Sequence, residues 1–118
     1  MSSPPAPGGD VALPDVVGRY LTAHDRRDTD AALAAFTAGA RVHDDGHEYV
    51  GTDEIRSWLA SASTEFTFTR AMLEATPIGT NEWLVLNHLE GNFPGGVVDL
   101  RYRFVVAGDL IAELVIAM

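Results

Sequence analysis

Apolar residues fall at positions 13, 16, 17, 20 and 21, the i, i+3, i+4, i+7, i+8 spacing of an amphipathic helix. The pattern predicts a first helix from about Leu13 to Asp25, with His24 continuing its apolar face. Asp28 or Thr29 can cap a second helix whose Ala32, Leu33 and Phe36 form a small apolar stripe ending near Gly39, so that the two helices make a hairpin. Asp45-Gly46 follows between two short β-type segments, and this dipeptide suits a two-residue type I′ turn because both turn residues need positive φ. The turn sets Asp44 opposite His47 and His43 opposite Glu48. Val42, Asp44, His47 and Tyr49 then share one face, and Arg41, His43, Glu48 and Val50 the other. Thr52 is a candidate cap for a third helix to about Ala62, with Asp53 and Glu54 in its first turn and Ile55, Trp58 and Leu59 buried.

From Glu65 the period changes to two, with Phe66, Phe68 and Met72 set against Thr67, Thr69 and Leu73, the alternation of a half-buried strand. Pro77 to Asn81 punctuates it, and three more strands follow: Glu82 to about Asn92, Val97 to Ala107, and Leu110 to Met118. The last two are joined by a tight Gly108-Asp109 turn. Helices followed by a run of antiparallel strands predict an α+β fold in which the sheet closes over the helices. Val97-Val98 and Val105-Val106 put apolar side chains on both faces of one strand, more surface than three helices can cover. A homodimer through the sheet is the expectation.

At 118 residues, 47% of them hydrophobic and 21% charged, the chain is long enough for one domain and its core. We divide it into a disordered lead at 1–10, rich in Pro, Ser and Gly, and a single domain at 11–118. The lead has neither a basic start nor an apolar stretch, so it is not a secretory signal and a cytoplasmic protein is expected. No apolar run approaches the roughly 18 residues of a membrane span. The net charge of −9 argues against nucleic acid or an anionic membrane as partner. Without cysteine, disulfides and thiolate metal sites are excluded. All eight basic residues are arginine, a usage that points to a GC-rich bacterial gene.

Val16-Val17-Gly18-Arg19-Tyr20-Leu21, then Asp28-x-Asp30 ahead of the Leu33-to-Phe36 stripe, then Ala40-Arg41-Val42-His43-Asp44, and finally Tyr102-Arg103-Phe104 ahead of Gly108-Asp109-Leu110-Ile111 together resemble the NTF2-like superfamily. That superfamily includes ketosteroid isomerases, SnoaL-type polyketide cyclases and limonene-epoxide hydrolases, and a SnoaL-like domain is the nearest general description. The resemblance implies a cystatin-like cone, three N-terminal helices packed in a strongly curved antiparallel sheet. It also implies an apolar small-molecule pocket between them. Carried over residue by residue, the isomerase pattern puts its oxyanion-donating tyrosine at Tyr20 and its proton-shuttling aspartate at Asp44. It puts Leu100 where a second acid stands, while Asp99 falls on the opposite face. The cyclases pair a carboxylate with histidines, which here could be His47, opposite Asp44, and His88 on a later strand.

Each candidate has a plainer reading beside it. Asp44 is a general base against apolar walls or a solvated aspartate before a turn, and Tyr20 an oxyanion donor or a core aromatic. In Leu86-Asn87-His88-Leu89-Glu90 either Asn87 or His88 faces inward. The His43-x-x-x-His47 spacing invites a metal, but the hairpin register turns the two rings to opposite faces and ligands must converge, so no metal or other cofactor is expected. Phe93-Pro94-Gly95-Gly96 precedes no helix that could hold a phosphate. The expected pocket is lined by Trp58, Leu100, Tyr102, Phe104 and His47, with Asp44, Tyr20 and His88 as the reactive groups. Two functions compete: an isomerase-, cyclase- or dehydratase-type enzyme moving a proton on a small apolar molecule through Asp44, and a non-catalytic ligand-binding or dimeric interaction module.

Overall fold

The computed structural model describes residues 13–118, so the lead expected at 1–10 lies outside the described residues. In chain order the elements are α1 (Asp15–Arg26), α2 (Thr29–Leu33), β1 (Phe36–Asp44), β2 (His47–Val50), α3 (Gly51–Glu65), β3 (Phe68–Gly79), β4 (Glu82–Gly91), β5 (Val97–Ala107) and β6 (Leu110–Ala117). One six-stranded sheet runs β2-β1-β6-β5-β4-β3, and its inner face meets the helices. No helix among the described residues is long and apolar enough to cross a membrane.

Helix α1 follows the predicted period and buries Val16, Val17, Tyr20, Leu21 and Ala23. Arg27 ends it in the left-handed conformation with φ 55°, its N–H donating to the Ala23 and His24 carbonyls. Asp28 then caps α2 by accepting from the Ala31 N–H at 3.1 Å. The expected stripe to Gly39 does not form. Helix α2 has five residues, little more than a turn, and the chain is already in β1 at Phe36. The cause is tertiary: Phe36 pairs with Ile111 of β6, and in that position its ring meets Tyr20 edge-on at 5.5 Å. So short a helix has little of its own to oppose this.

The β1–β2 hairpin has the predicted register, Asp44↔His47, His43↔Glu48 and Val42↔Tyr49, around Asp45 and Gly46 at φ 53° and 77°. Helix α3 buries Ile55, Trp58 and Leu59 as its period predicts. Its cap is Val50 rather than Thr52, and Glu54 reaches back to accept the Val50 N–H at 2.8 Å.

Two parts of the expected architecture need correction. Among the described residues three helices are present, the third after the first hairpin as its pattern predicts, so the three N-terminal helices that the resemblance implies are not found as such, and one of the three, α2, has only five residues. Nor is the sheet wholly antiparallel, because β1 lies parallel to β6. These strands come from opposite ends of the chain, and no hairpin constrains their direction. Pro77 does not end its strand either. It sits in β3 opposite Trp83, where an edge strand tolerates the missing N–H.

Candidate functional site

Period two on β5 turns Leu100, Tyr102 and Phe104 to the inner face, with Tyr102 and Phe104 buried and Leu100 half-buried. Across the sheet Tyr102 pairs with Ile116 and Val85, and Ile116 pairs in turn with Asp44. Asp44 and Tyr102 therefore share one row of the inner face, with β6 between them. Half-buried Asp44 accepts a hydrogen bond from the Trp58 indole N–H at 3.0 Å, which ties the end of β1 to α3.

Tyr20 comes down from α1 onto this layer, its ring 5.8 Å from Phe104 and 5.9 Å from His24. The Tyr20 hydroxyl is buried and has no hydrogen-bond partner. Burial first, then the neighbouring Tyr102 and the charge of Asp44, push its pKa well above the ordinary tyrosine value. Tyr102 is raised by burial and next by Asp44. The same carboxylate thus acts on both phenols.

The structure decides the alternative on β4 for Asn87. It is fully buried on the inner face, while His88 lies on the outer face bonded to Asp99 and to Glu90, the latter at 2.9 Å. His88, expected among the reactive groups, is thus placed away from Asp44 and Tyr20, because one step along a strand reverses the face. The bonds to Asp99 and then Glu90 raise its pKa. His47 shares the face of Asp44 but lies exposed on edge strand β2, so it does not line the interior as expected. His43 points the other way, 3.2 Å from Glu48.

The sequence did not reveal a polar network of four residues: half-buried His24 and Arg70, exposed Asp25 and buried Asn87. His24 Nε2 lies 3.2 Å from the Tyr102 hydroxyl, and its Nδ1 lies 3.4 Å from Asp25 Oδ1. Arg70 donates from Nε and Nη2 to the two oxygens of Asp25, both at 2.8 Å, and from Nη1 to Asn87 Oδ1 at 2.8 Å. This bond fixes the orientation of the Asn87 amide and leaves its Nδ2 donor buried and unpartnered. Burial opposes the charge of Asp25, but the bonds from His24 and Arg70 outweigh it and hold the carboxyl well below the usual carboxylate range. The signal was a charged residue at a core position: Arg70 falls on the inward phase of Phe68 and Met72, and His24 on the apolar face of α1.

Of the five residues expected to line the pocket, Trp58, Tyr102 and Phe104 are buried in the core, Leu100 packs against it and His47 is exposed, while Tyr20, expected as a reactive group, is buried in the core as well. None borders the small apolar cleft of about 40 Å³ that opens beside His24 among Ala23, Arg27, Leu59, Ala62 and Phe68. One water needs roughly 10–15 Å³, so that cleft is of a size for a few waters or a small side group.

A family model described as SnoaL-like domain matches residues 17–114. A Sinorhizobium meliloti protein of solved structure, provisionally assigned as a polyketide cyclase, is 35% identical, with a TM-score of 0.84 over 89% of this chain and 95% of that one. A Catenulispora acidiphila protein with a ketosteroid isomerase-like fold, solved with trimethylamine, is 16% identical at a TM-score of 0.79, over 91% of this chain and 87% of its own. A Mycobacterium tuberculosis protein solved with estradiol-17β-hemisuccinate is 15% identical at 0.74, over 88% and 91%. The latter two share the fold alone. No curated protein sequence matches the chain.

Proposed function

We infer the function from one premise: the chain belongs to the SnoaL-like domain family, with its NTF2-like fold. Its interior binds a small apolar molecule bearing a carbonyl oxygen, and Asp44 moves a proton on the carbon beside that carbonyl. Three buried polar atoms among the described residues have no partner, Arg27 Nε, the Tyr20 hydroxyl and Asn87 Nδ2, and the observation that carries this reading is that two of these donors, on Tyr20 and Asn87, belong to fully buried residues. Folded proteins pair more than about 90% of their buried polar groups, so donors left open at Tyr20 and at Asn87 are where the acceptor oxygen of a ligand would find partners.

In the proposed step the Asp44 carboxylate takes the α-proton, and the carbonyl oxygen gathers the resulting charge while accepting from Tyr20 O–H and Asn87 N–H. Both donors are fixed before the ligand arrives, so they need no reorganisation when the charge forms. Trp58 holds Asp44 through one oxygen, Oδ2, and leaves Oδ1 for the proton. Solved relatives carrying an amine and a steroid ester support a small organic ligand for this chain as well.

The test is α-proton exchange of 2-tetralone, a flat apolar ketone, in D2O followed by proton NMR. Asp44→Asn keeps the shape and should slow exchange by roughly 10²-fold or more with little change in affinity. Exchange at the wild-type rate in Asp44→Asn would end the assignment. Leu100 at the position of the isomerases' second acid favours a second reading, ligand binding without turnover. In that case 2-tetralone binds, neither protein exchanges it, and Asp44→Asn binds it equally well. The proposal extends to assembly: a second copy packs on the outer sheet face, where half-buried Leu84, Leu86, Val105 and Val115 lie among the ion pairs of Arg103 with Glu82 and Glu113. A monomeric mass by light scattering at micromolar concentration would remove it.

A further inference from the structure

The proton transfer assigned to Asp44 leaves a second ionisable chain without a task, the one from Tyr102 through His24 to Asp25. We propose that Tyr102 is a second proton-transfer residue of the same interior, exchanging a proton with an oxygen of the ligand, and that His24 and Asp25 are the positioning residues that take up and hold that proton. The inference rests on the carbonyl-ligand reading and extends it to the ligand's oxygen.

Geometry orders the chain. Exposure rises from 2% at Tyr102, through 14% for the His24 side chain, to 42% for that of Asp25, so successive groups lead from the sealed interior outward. His24 also borders the cleft beside α3, which brings its ring near the surface. Arg70 grips both Asp25 oxygens and keeps that carboxylate an acceptor only. The imidazole nitrogen facing Asp25, Nδ1, must then carry a proton. In the neutral ring Nε2 is left as an acceptor, and the partner within reach is the Tyr102 hydroxyl. A bare phenolate is costly in this interior, since burial and the Asp44 charge both oppose it. A phenol that passes its own proton to Nε2 while receiving another never has to bear that charge.

The transfer balances within the chain. As an enol or alcohol O–H of the ligand gives its proton to the Tyr102 oxygen, the Tyr102 hydroxyl proton moves to Nε2. The ring becomes an imidazolium between the phenol and the Asp25 carboxylate. The return reverses both movements: once the ring has taken a proton from solvent at the cleft and become the imidazolium, Nε2 gives that proton to the Tyr102 oxygen as the Tyr102 hydroxyl proton passes to an enolate oxygen of the kind Asp44 generates. The charged groups around the ring are Asp25 on its own helix, Arg70 on β3 behind that carboxylate, and Arg27 and Asp28 at the rim of the cleft.

Two measurements test this, and they fail separately. Nitrogen-15 NMR of the His24 ring in the free protein should show the Nδ1–H tautomer. Its Nε2 signal should shift in Tyr102→Phe, and the other tautomer should become populated in Asp25→Asn. A wild-type ring protonated on Nε2 alone would overturn the relay whether or not any ketone turns over. In the 2-tetralone assay, His24→Ala should lose at least about tenfold in exchange rate with KM little changed. Added imidazole should restore the rate, because the cleft opens onto the vacated space, and pyrazole, of the same shape but far less basic, should not. Equal rescue by both, or no loss in folded His24→Ala, would overturn the proposal. Absence of exchange in the wild-type protein would defeat the ketone reading alone and leave the tautomer result to decide the relay.

Discussion

Replacing Tyr20 by Phe should make the protein more stable, the reverse of the usual outcome of trimming a buried tyrosine. The hydroxyl is fully enclosed and donates to nothing, so the native state bears the cost of desolvating it with no bond in return. Leaving a buried polar group unsatisfied costs about 1–3 kcal/mol. Phe keeps the ring contacts with Phe36 and Phe104, so no cavity term opposes the gain. Allowing for partial relaxation around the hydroxyl, a gain of about 1–2 kcal/mol is expected. Unfolding entropy near 2.1 cal/mol/K per residue gives about 0.25 kcal/mol/K for a chain of this length, so Tm should rise by roughly 4–8 °C. Urea denaturation is the assay, with the midpoint moving up and m unchanged. If the hydroxyl is the oxyanion donor, the same variant should lose exchange activity, a group retained for function against stability. A loss of about 0.5 kcal/mol or more would refute the reasoning, since it would mean that the hydroxyl has a partner in solution, such as an enclosed water.

Asp25 has a lowered folded pKa, so its contribution is present above the unfolded value near 4 and is lost as pH falls through the folded one. The stability difference between wild type and Asp25→Asn, by urea titration, should be largest at neutral pH and shrink below pH 4. For His88 the sign is opposite: its pKa is raised by Asp99 and Glu90, so its contribution is complete below about 6.5 and disappears as pH rises through the folded value. Its NMR titration midpoint should lie above 6.5 and fall back in Asp99→Asn. Gly91→Ala should destabilise by about 1–3 kcal/mol, because an added Cβ would stand 2.3 Å from the Thr67 carbonyl oxygen and 2.8 Å from the Phe68 Cα, backbone atoms that cannot yield cheaply. Chemical denaturation checks it, and a wild-type midpoint would show that β3 can move away from β4.

What could be read from the residues alone was whatever short range decides. The period of α1, the Asp45-Gly46 turn with the register it imposes, and the inward set Leu100, Tyr102 and Phe104 all follow from spacing and φ preference within a few neighbours. The early end of α2 did not, because Phe36 leaves the helix for a strand partner, Ile111, that comes 75 positions later. Nor did the facing of Asn87 and His88, since Leu86-Asn87-His88-Leu89 reads equally well in either phase until the pairing of β4 with β5 is known. The polar chain through the interior was the least legible. Tyr102 meets His24 across 78 positions and Arg70 meets Asp25 across 45, and only closing the sheet over α1 brings them within bonding distance. Local patterning selects which face a side chain turns to. Which partner waits there is decided by the pairing of distant strands, where the free energy of burying the whole core outweighs the preference of any one segment.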